Sequence, residues 1–435
     1  MQQTTNLQPG TCNLQQHVGR RSFLKSALVG AGGMMLPNWG GLFHSQSIAA
    51  QAQRQGKRCI LLWMAGGASH LETFDMKSGH PNNGVFRSIA SRVPGTQVCE
   101  YLPNIAQLTD KLAIIRSMST NDPGHSTGTY RMHTGYRQEA FVRHPEIGAM
   151  VARYNGSDDL NLPSFIQLGI GGGESSPFAG SGFLGPAYQP FRLGRSGGTP
   201  ENTTPYASAE SDQRRNDLLG SLDQRFGEQT SSPSVAALRA AHDRSRRLLT
   251  SRGVFDVSAE WNRQRERYGD TDFGRNCLVA RRLVEQGVPF VEVEQQNYDS
   301  HSDNFEWHKA LLPTLDKGWS GLLRDLDERG LLQNTLVVWM GEFGRTPGIN
   351  NRAGRDHYAR AWSVVLAGGG VRGGVTYGST DRDGAIVQAN PVNEGDLFAT
   401  IYTALGINPR VRHFVGTRPI WATPEGARVV RDILV

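Results

Sequence analysis

Hydrophobic positions fall along this chain in two rhythms. Short apolar runs at 57–64, 112–116, 162–168, 288–294, 335–340 and 362–367 have the length of buried strands. Between them lie stretches with helical spacing. Leu312, Leu315, Trp319, Leu322 and Leu326 predict one long helix, which Gly330 stops. Residues 102–112, 125–135 and 277–286 predict further helices, and 396–405 a last one ended by Gly406. The alternation is most regular from Asn276 onward, and it predicts an α/β fold: a mostly parallel sheet flanked by helices on both faces.

The pattern breaks between about 196 and 267. This stretch is polar, rich in Arg, Asp, Ser and Gln, with helical spacing at 234–249. It reads as a helical insertion within one domain spanning 57–435, either a lid or a solvated excursion. The N-terminus breaks the pattern differently. Gly19-Arg20-Arg21-Ser22-Phe23-Leu24-Lys25 precedes an apolar, glycine-rich run from Ala27 to Leu36, and Ala50-Gln51-Ala52 follows. Charged region, short apolar region and small-residue cleavage site describe an export signal over 1–52. The paired arginines point to the Tat route, so the Tat translocase is the partner expected during export, and the destination is periplasmic or extracellular. Tat carries folded proteins, which permits metal loading in the cytoplasm.

Composition narrows this picture a little. With 435 residues and 38% hydrophobic content the chain can bury a substantial core, and its 52 glycines imply many close backbone approaches. Loss of 1–52 removes Arg20, Arg21 and Lys25 and no acid, lowering the formal charge of +6 by three. Without a basic stripe that balance argues against nucleic acid and supports only mild attraction to anionic substrates. No other apolar run approaches the roughly 20 residues of a membrane span. Cys59, Cys99 and Cys277 remain after the signal, with no C-x-x-C spacing; one disulfide is allowed and the sequence chooses no pair.

The chemistry-bearing residues cluster just past strand ends, where open α/β sheets build their sites. After 288–294 come Asp299 and His301, two apart and so on one side of an extended segment. After 335–340 come Glu342 and Arg345, then His357 within Gly354-Arg355-Asp356-His357. Carboxylates and imidazoles suit Zn or Mn better than Ca; the plainer alternatives are an Asp-His hydrogen bond and an Arg345–Glu342 ion pair. Arg345 has the fork to hold a tetrahedral anion, and Asp356 or a carbonyl could orient the His357 ring. The first strand exits into Gly66-Gly67-Ala68-Ser69-His70-Leu71-Glu72, which offers His70 as a site residue and equally fits a Ser69/Glu72 capping box. His308 reads as a surface or supporting residue. His125-Ser126-Thr127 offers a candidate nucleophile, or only a cap.

Three segments carry a resemblance. Thr335-Leu336-Val337-Val338-Trp339-Met340-Gly341-Glu342-Phe343-Gly344 is similar to the sulfatase run T-L-V-V-F-T-S-D-H-G. The stretch from His125 to Gly135 matches the spacing of C-x-P-S-R-x-x-x-L-T-G, and Asp396 to Ile407 the late D-x-x-P-T-L…A-G-I helix. With Gly66 to Asp75, Asp299-Ser300-His301 and Gly341 to Pro347, the chain resembles the DUF1501 family of exported, sulfatase-like proteins, within the alkaline phosphatase/sulfatase superfamily. The resemblance implies an alkaline-phosphatase-like fold and a metal-dependent hydrolase of small-molecule or polysaccharide phosphate or sulfate esters. It implies one or two divalent ions, probed first as Zn or Mn, held by Asp299, His301 and His357 with Glu342 and His70 completing or orienting the site. Catalysis would fall to His125, as base or nucleophile, with Ser126 and Arg345. The chain also departs from the superfamily: Phe343 stands at a metal-binding His, His125 at the nucleophile, and Gly66-Gly67 where the first strand normally ends in Asp. A binding protein that keeps the fold without the reaction is the alternative expectation.

Overall fold

The computed structural model describes residues 56–157, 159–171, 179–194, 200, 208–229, 242, 246–249 and 251–435. The predicted export signal and most of 234–249 lie outside the described residues, and the described ones all belong to one compact unit. An eight-stranded sheet runs through it. Its strands are β1 (Arg58–Met64), β2 (Leu112–Met118), β3 (Phe165–Leu168), β4 (Phe191–Arg192), β5 (Phe290–Gln295), β6 (Thr335–Met340), β7 (Trp362–Ala367) and β8 (Val375–Tyr377), arranged β8-β2-β7-β6-β1-β5-β3-β4. Among the described strands of this sheet, β7 alone runs against its neighbours; the other pairings are parallel.

Side chains alternate between the two faces of β1, as a two-residue repeat requires. Ile60, Leu62 and Met64 enter one core, packed by α4 (Ser258–Tyr268), α5 (Asp272–Glu285) and α6 (Asn304–Glu328). Cys59, Leu61 and Trp63 enter the other, packed by α1 (His125–Thr134), α2 (Ile147–Asn155) and α7 (Glu394–Ala404). Between α2 and α4 runs α3 (Ala209–Gln229), a polar helix in the expected insertion. Caps fix the key helix ends: Thr271 accepts from Gly274 N, Asn393 accepts from Asp396 N, and Gly135 closes α1 at φ +77°.

Local expectations differ from the structure in three places. The predicted helix over 102–112 is a short helix, Pro103–Ala106, and a 3-10 turn, Thr109–Lys111, because the chain must reverse before entering β2. The polar insertion was expected to reach 267, yet α4 buries Trp261 and Tyr268 in the core. Ser69 and Glu72 form no capping box. Residues 71–74 are turns, and Glu72 is buried against Arg355, whose Nε lies 3.0 Å from Glu72 Oε2. The three cysteines Cys59, Cys99 and Cys277 are buried and free.

Candidate metal centre

β1, β2, β5 and β6 all deliver their C-terminal ends to one edge of the sheet, and the reversed β7 begins there. The loops at this edge therefore meet. Gly66 lets them meet closely: at φ +106°, a Cβ there would lie 2.3 Å from Asp299 N. Tyr298 N bonds Ala65 O at 3.1 Å, which fixes the exit of β5 against that of β1. Past β6, Gly344–Arg345 pairs antiparallel with His357–Tyr358, so His357 sits opposite Arg345.

These loops gather three imidazoles around one carboxylate. Asp299 Oδ1 lies 3.2 Å from both His301 Nε2 and His357 Nε2, and Asp299 Oδ2 lies 3.2 Å from His125 Nε2. One ligand atom each from His125, Asp299 and His357 falls within a 4.8 Å spread. His301 Nε2 stands 2.9 Å from His357 Nε2. Two of the rings are held from behind by acids: His125 Nδ1 is 2.8 Å from Glu342 Oε1 and His301 Nδ1 is 2.7 Å from Asp356 Oδ1. Glu342 Oε1 also accepts from Gly66 N at 2.9 Å, while the buried Glu342 Oε2 has no hydrogen-bond partner.

The electrostatics follow from this crowding. Hydrogen bonds that His125 donates to the Asp299 and Glu342 carboxylates raise its imidazole to about 9. Burial works to raise the Asp299 carboxyl, but hydrogen bonds from His125, His357 and Arg345 hold it far below the usual range. With Nδ1–H of His125 given to Glu342 and Nδ1–H of His301 given to Asp356, displacement of the proton at Nε2 would leave each ring a lone pair to offer a cation beside Asp299. Nitrogen and carboxylate donors of this kind fit Zn or Mn. Two Nε2 atoms facing each other at 2.9 Å are an arrangement that a cation between the rings would relieve.

The expected site residues divide accordingly. Asp299, His301, His357 and Glu342 come together, and His125, expected as base or nucleophile, joins them in the position of a ligand. His70 does not join. It is buried elsewhere, with Nε2 2.8 Å from Gly384 O and its pKa lowered by burial. Ser126 is exposed in the first turn of α1, after the N-cap Gly124. Arg345 is buried and spends its guanidinium on the carbonyls of Gly66, Gly67 and Arg355 and on Asp299 Oδ1 at 2.6 Å. It therefore braces Asp299 rather than facing an anion, and the ion pair it forms is with Asp299, not Glu342. Asp356 orients His301, not His357. Phe343 forms an apolar wall, its ring centroid 5.1 Å from that of His125 and 4.7 Å from that of His357. His308 is buried against Asn304 O, and not on the surface.

A second set of buried polar residues lies under α1, and nothing in the local sequence singled it out. His133 Nε2 is 3.2 Å from Glu292 Oε1, Gln167 Nε2 donates to Glu292 Oε2 at 2.9 Å, and Gly180 N donates to Glu146 Oε1 at 2.5 Å. Burial pulls the His133 ring down, but the Glu292 carboxylate outweighs it and holds the ring at about 9. Burial, with Glu292 beside it, raises Glu294 to about 8. The i, i+2 spacing of Glu292 and Glu294 placed both on one face; only the fold shows that this face is covered.

A family model described as a protein of unknown function, DUF1501, matches residues 56–434. No curated protein matches the chain in sequence. Among solved structures the chain is similar to Ps i-CgsB in complex with k-i-k-neocarrahexaose (13% identity over 81% of this chain and 72% of that one, TM-score 0.40). It is similar to a sulfatase from Pseudoalteromonas sp. (12%, 83% and 72%, TM-score 0.36). It is also similar to the TAB5 alkaline phosphatase with Mg bound (11%, 81% and 99%, TM-score 0.35).

Proposed function

The chain belongs to the DUF1501 family, and from that premise we propose that it is an exported, metal-dependent hydrolase of phosphate or sulfate esters. The observation that carries this reading is the convergence of His125, His301 and His357 on Asp299 at the open edge of the sheet, with Glu342 and Asp356 behind two of the rings. His125, Asp299 and His357 would hold the cation. When bound, a divalent cation supplies Lewis acidity toward an ester oxygen and lowers the pKa of water.

The protein's own residues do the rest. Glu342 fixes the His125 tautomer and so aims Nε2 at the centre. Arg345 clamps Asp299 Oδ1, which leaves the carboxylate one orientation. Phe343 keeps water off one side of the cluster. His301, held at Nδ1 by Asp356, aims Nε2 at the centre, where a general acid or base would stand. Asp299 keeps 43% of its side chain exposed, so an ester can reach the centre.

Metal analysis of the natively exported protein, followed by a screen of phosphate and sulfate esters, tests this reading. It expects stoichiometric Zn or Mn and cleavage that Asp299→Ala abolishes together with the metal. A second reading, a binding protein of the cell envelope, draws on Arg345 being spent on carbonyls and on Ser126 lying outside the cluster. Metal-loaded protein inert toward both ester classes would favour it.

A further inference from the structure

The loop that leaves β2 also lines a cavity of about 360 Å³. Thr120 and Arg131 form its buried side, each with 5% of its surface exposed. Thr120 Oγ1 and Arg131 Nε have no hydrogen-bond partner, although burial makes an unmet donor costly. Gly395, in the first turn of α7, lines the same cavity. The N–H groups of a first turn have no acceptor inside the helix and attract negative charge; here the Asn393 cap takes the one from Asp396, one residue further on. A Cβ at Gly395 would stand 3.3 Å from Ala427 Cβ, on the opposite wall, so glycine keeps this end of the cavity open.

The cavity is lined by charges of both signs. Glu394 Oε1 lies 3.4 Å from Arg131 Nη1 and Asp122 Oδ2 3.7 Å from Arg131 Nη2, so that guanidinium is paired at both Nη atoms and only its Nε is unmet, and Glu425 is exposed at the rim. Arg137 is exposed at the rim as well. Unmet buried donors, a helix N-terminus and a rim arginine together favour an acceptor-rich ligand carrying negative charge.

The position of the cavity ties it to the metal centre. Arg131 and His125 share α1, six residues and so about 9 Å apart along the helix axis. Thr120 N bonds Ala359 O at 2.7 Å, two residues beyond His357. We propose that this cavity is an oxyanion subsite, which takes a second carboxylate or sulfate of a multiply charged substrate whose ester lies at the metal centre. The proposal rests on the reading of that centre as an ester hydrolase, but the subsite itself can be tested without any turnover.

Inorganic sulfate and glucuronate are titrated by calorimetry into full-length, metal-loaded protein and into a Thr120→Val/Arg137→Gln variant. Both changes lie outside the metal cluster. Sulfate and glucuronate should each bind the parent protein, and the variant should bind them at least tenfold more weakly, with unchanged metal content and melting temperature. Binding that is equal in parent and variant, or no binding of either anion to the parent, overturns the proposal. Either result leaves the metal content and ester cleavage of the parent to be judged separately. If cleavage is found, a diester-charged substrate should lose affinity through KM in the variant while a singly charged one keeps its kcat/KM.

Discussion

Two regions of this protein are dense in charge, and they are built on opposite plans. Between α4, α5 and α6, Arg281 and Arg329 face Glu260, Glu285 and Asp325. Arg281 Nη1 lies 2.6 Å from Glu285, Arg329 Nε 2.9 Å from Asp325, and Tyr268 donates to Asp325 at 2.8 Å. Each acid has an arginine and the network is closed. At the sheet edge, three imidazoles and Arg345 crowd a single carboxylate, two Nε2 atoms confront each other, and Glu342 keeps an oxygen without a donor. Compensated charge ties helices together. At the sheet edge the imidazoles and the carboxylate instead bring ligand atoms together, with Glu342 and Asp356 behind two of the rings.

This contrast can be broken from either side. The largest effect is expected at Asp299. Asp299→Ala should reduce ester cleavage by roughly 10³-fold or more and strip the metal; a variant that still holds metal would erase the distinction. Arg281→Met should do the reverse. It leaves Glu260, Glu285 and Asp325 to Arg329 alone and should cost about 3–5 kcal/mol in urea unfolding, with metal content and kcat/KM unchanged while the variant stays folded. Glu342→Gln sits between the two, since it keeps the packing and alters only the acid behind His125. Its expected mark is a metal affinity weaker by roughly 10–100-fold, read by competition with a chelator.

The smallest effect comes from the buried set under α1. The folded-state pKa of His133 is raised to about 9, above its unfolded value, so its contribution to stability is complete below about pH 6.5 and is lost as pH rises through 9. Burial raises Glu146 to about 7 and Glu294 to about 8, which act in the same direction at lower pH. The melting temperature should therefore fall between pH 6.5 and 9, by an amount on the order of 1 kcal/mol in stability. His133→Gln should flatten that slope without changing metal content. A slope that persists in the variant would assign the pH dependence to another group.

Much of the fold could be read from the sequence because it rests on local regularities. The strands from β5 to β7 and the long helix α6 follow directly from run length and helical spacing. Asp299, His301, Glu342 and His357 were legible for the same reason, since each follows a buried strand closely. What could not be read was the pairing of residues far apart in sequence. Glu72 meets Arg355, His125 meets Glu342 and His133 meets Glu292 across the folded sheet, and no spacing announces these partners. Arg345 illustrates the limit. Its residue type suggested an anion clamp, but burial among carbonyls turned it into a brace for Asp299. His70 failed for a related reason: a polar residue after a strand can be enclosed by a later loop, here the one carrying Gly384.

The reversal of β7 has a consequence for how this centre could be altered. Because β6 and β7 are antiparallel neighbours, the segment from Gly341 to Ala361 leaves and re-enters the sheet at the same edge. It carries Glu342, Arg345, Asp356 and His357, and with them the brace, both backing acids and one ligand. Such a segment can vary in length and sequence while the sheet that anchors its two ends keeps its register, but its site residues can change only in step with the partners they meet outside it, Gly66, His125, Asp299 and His301.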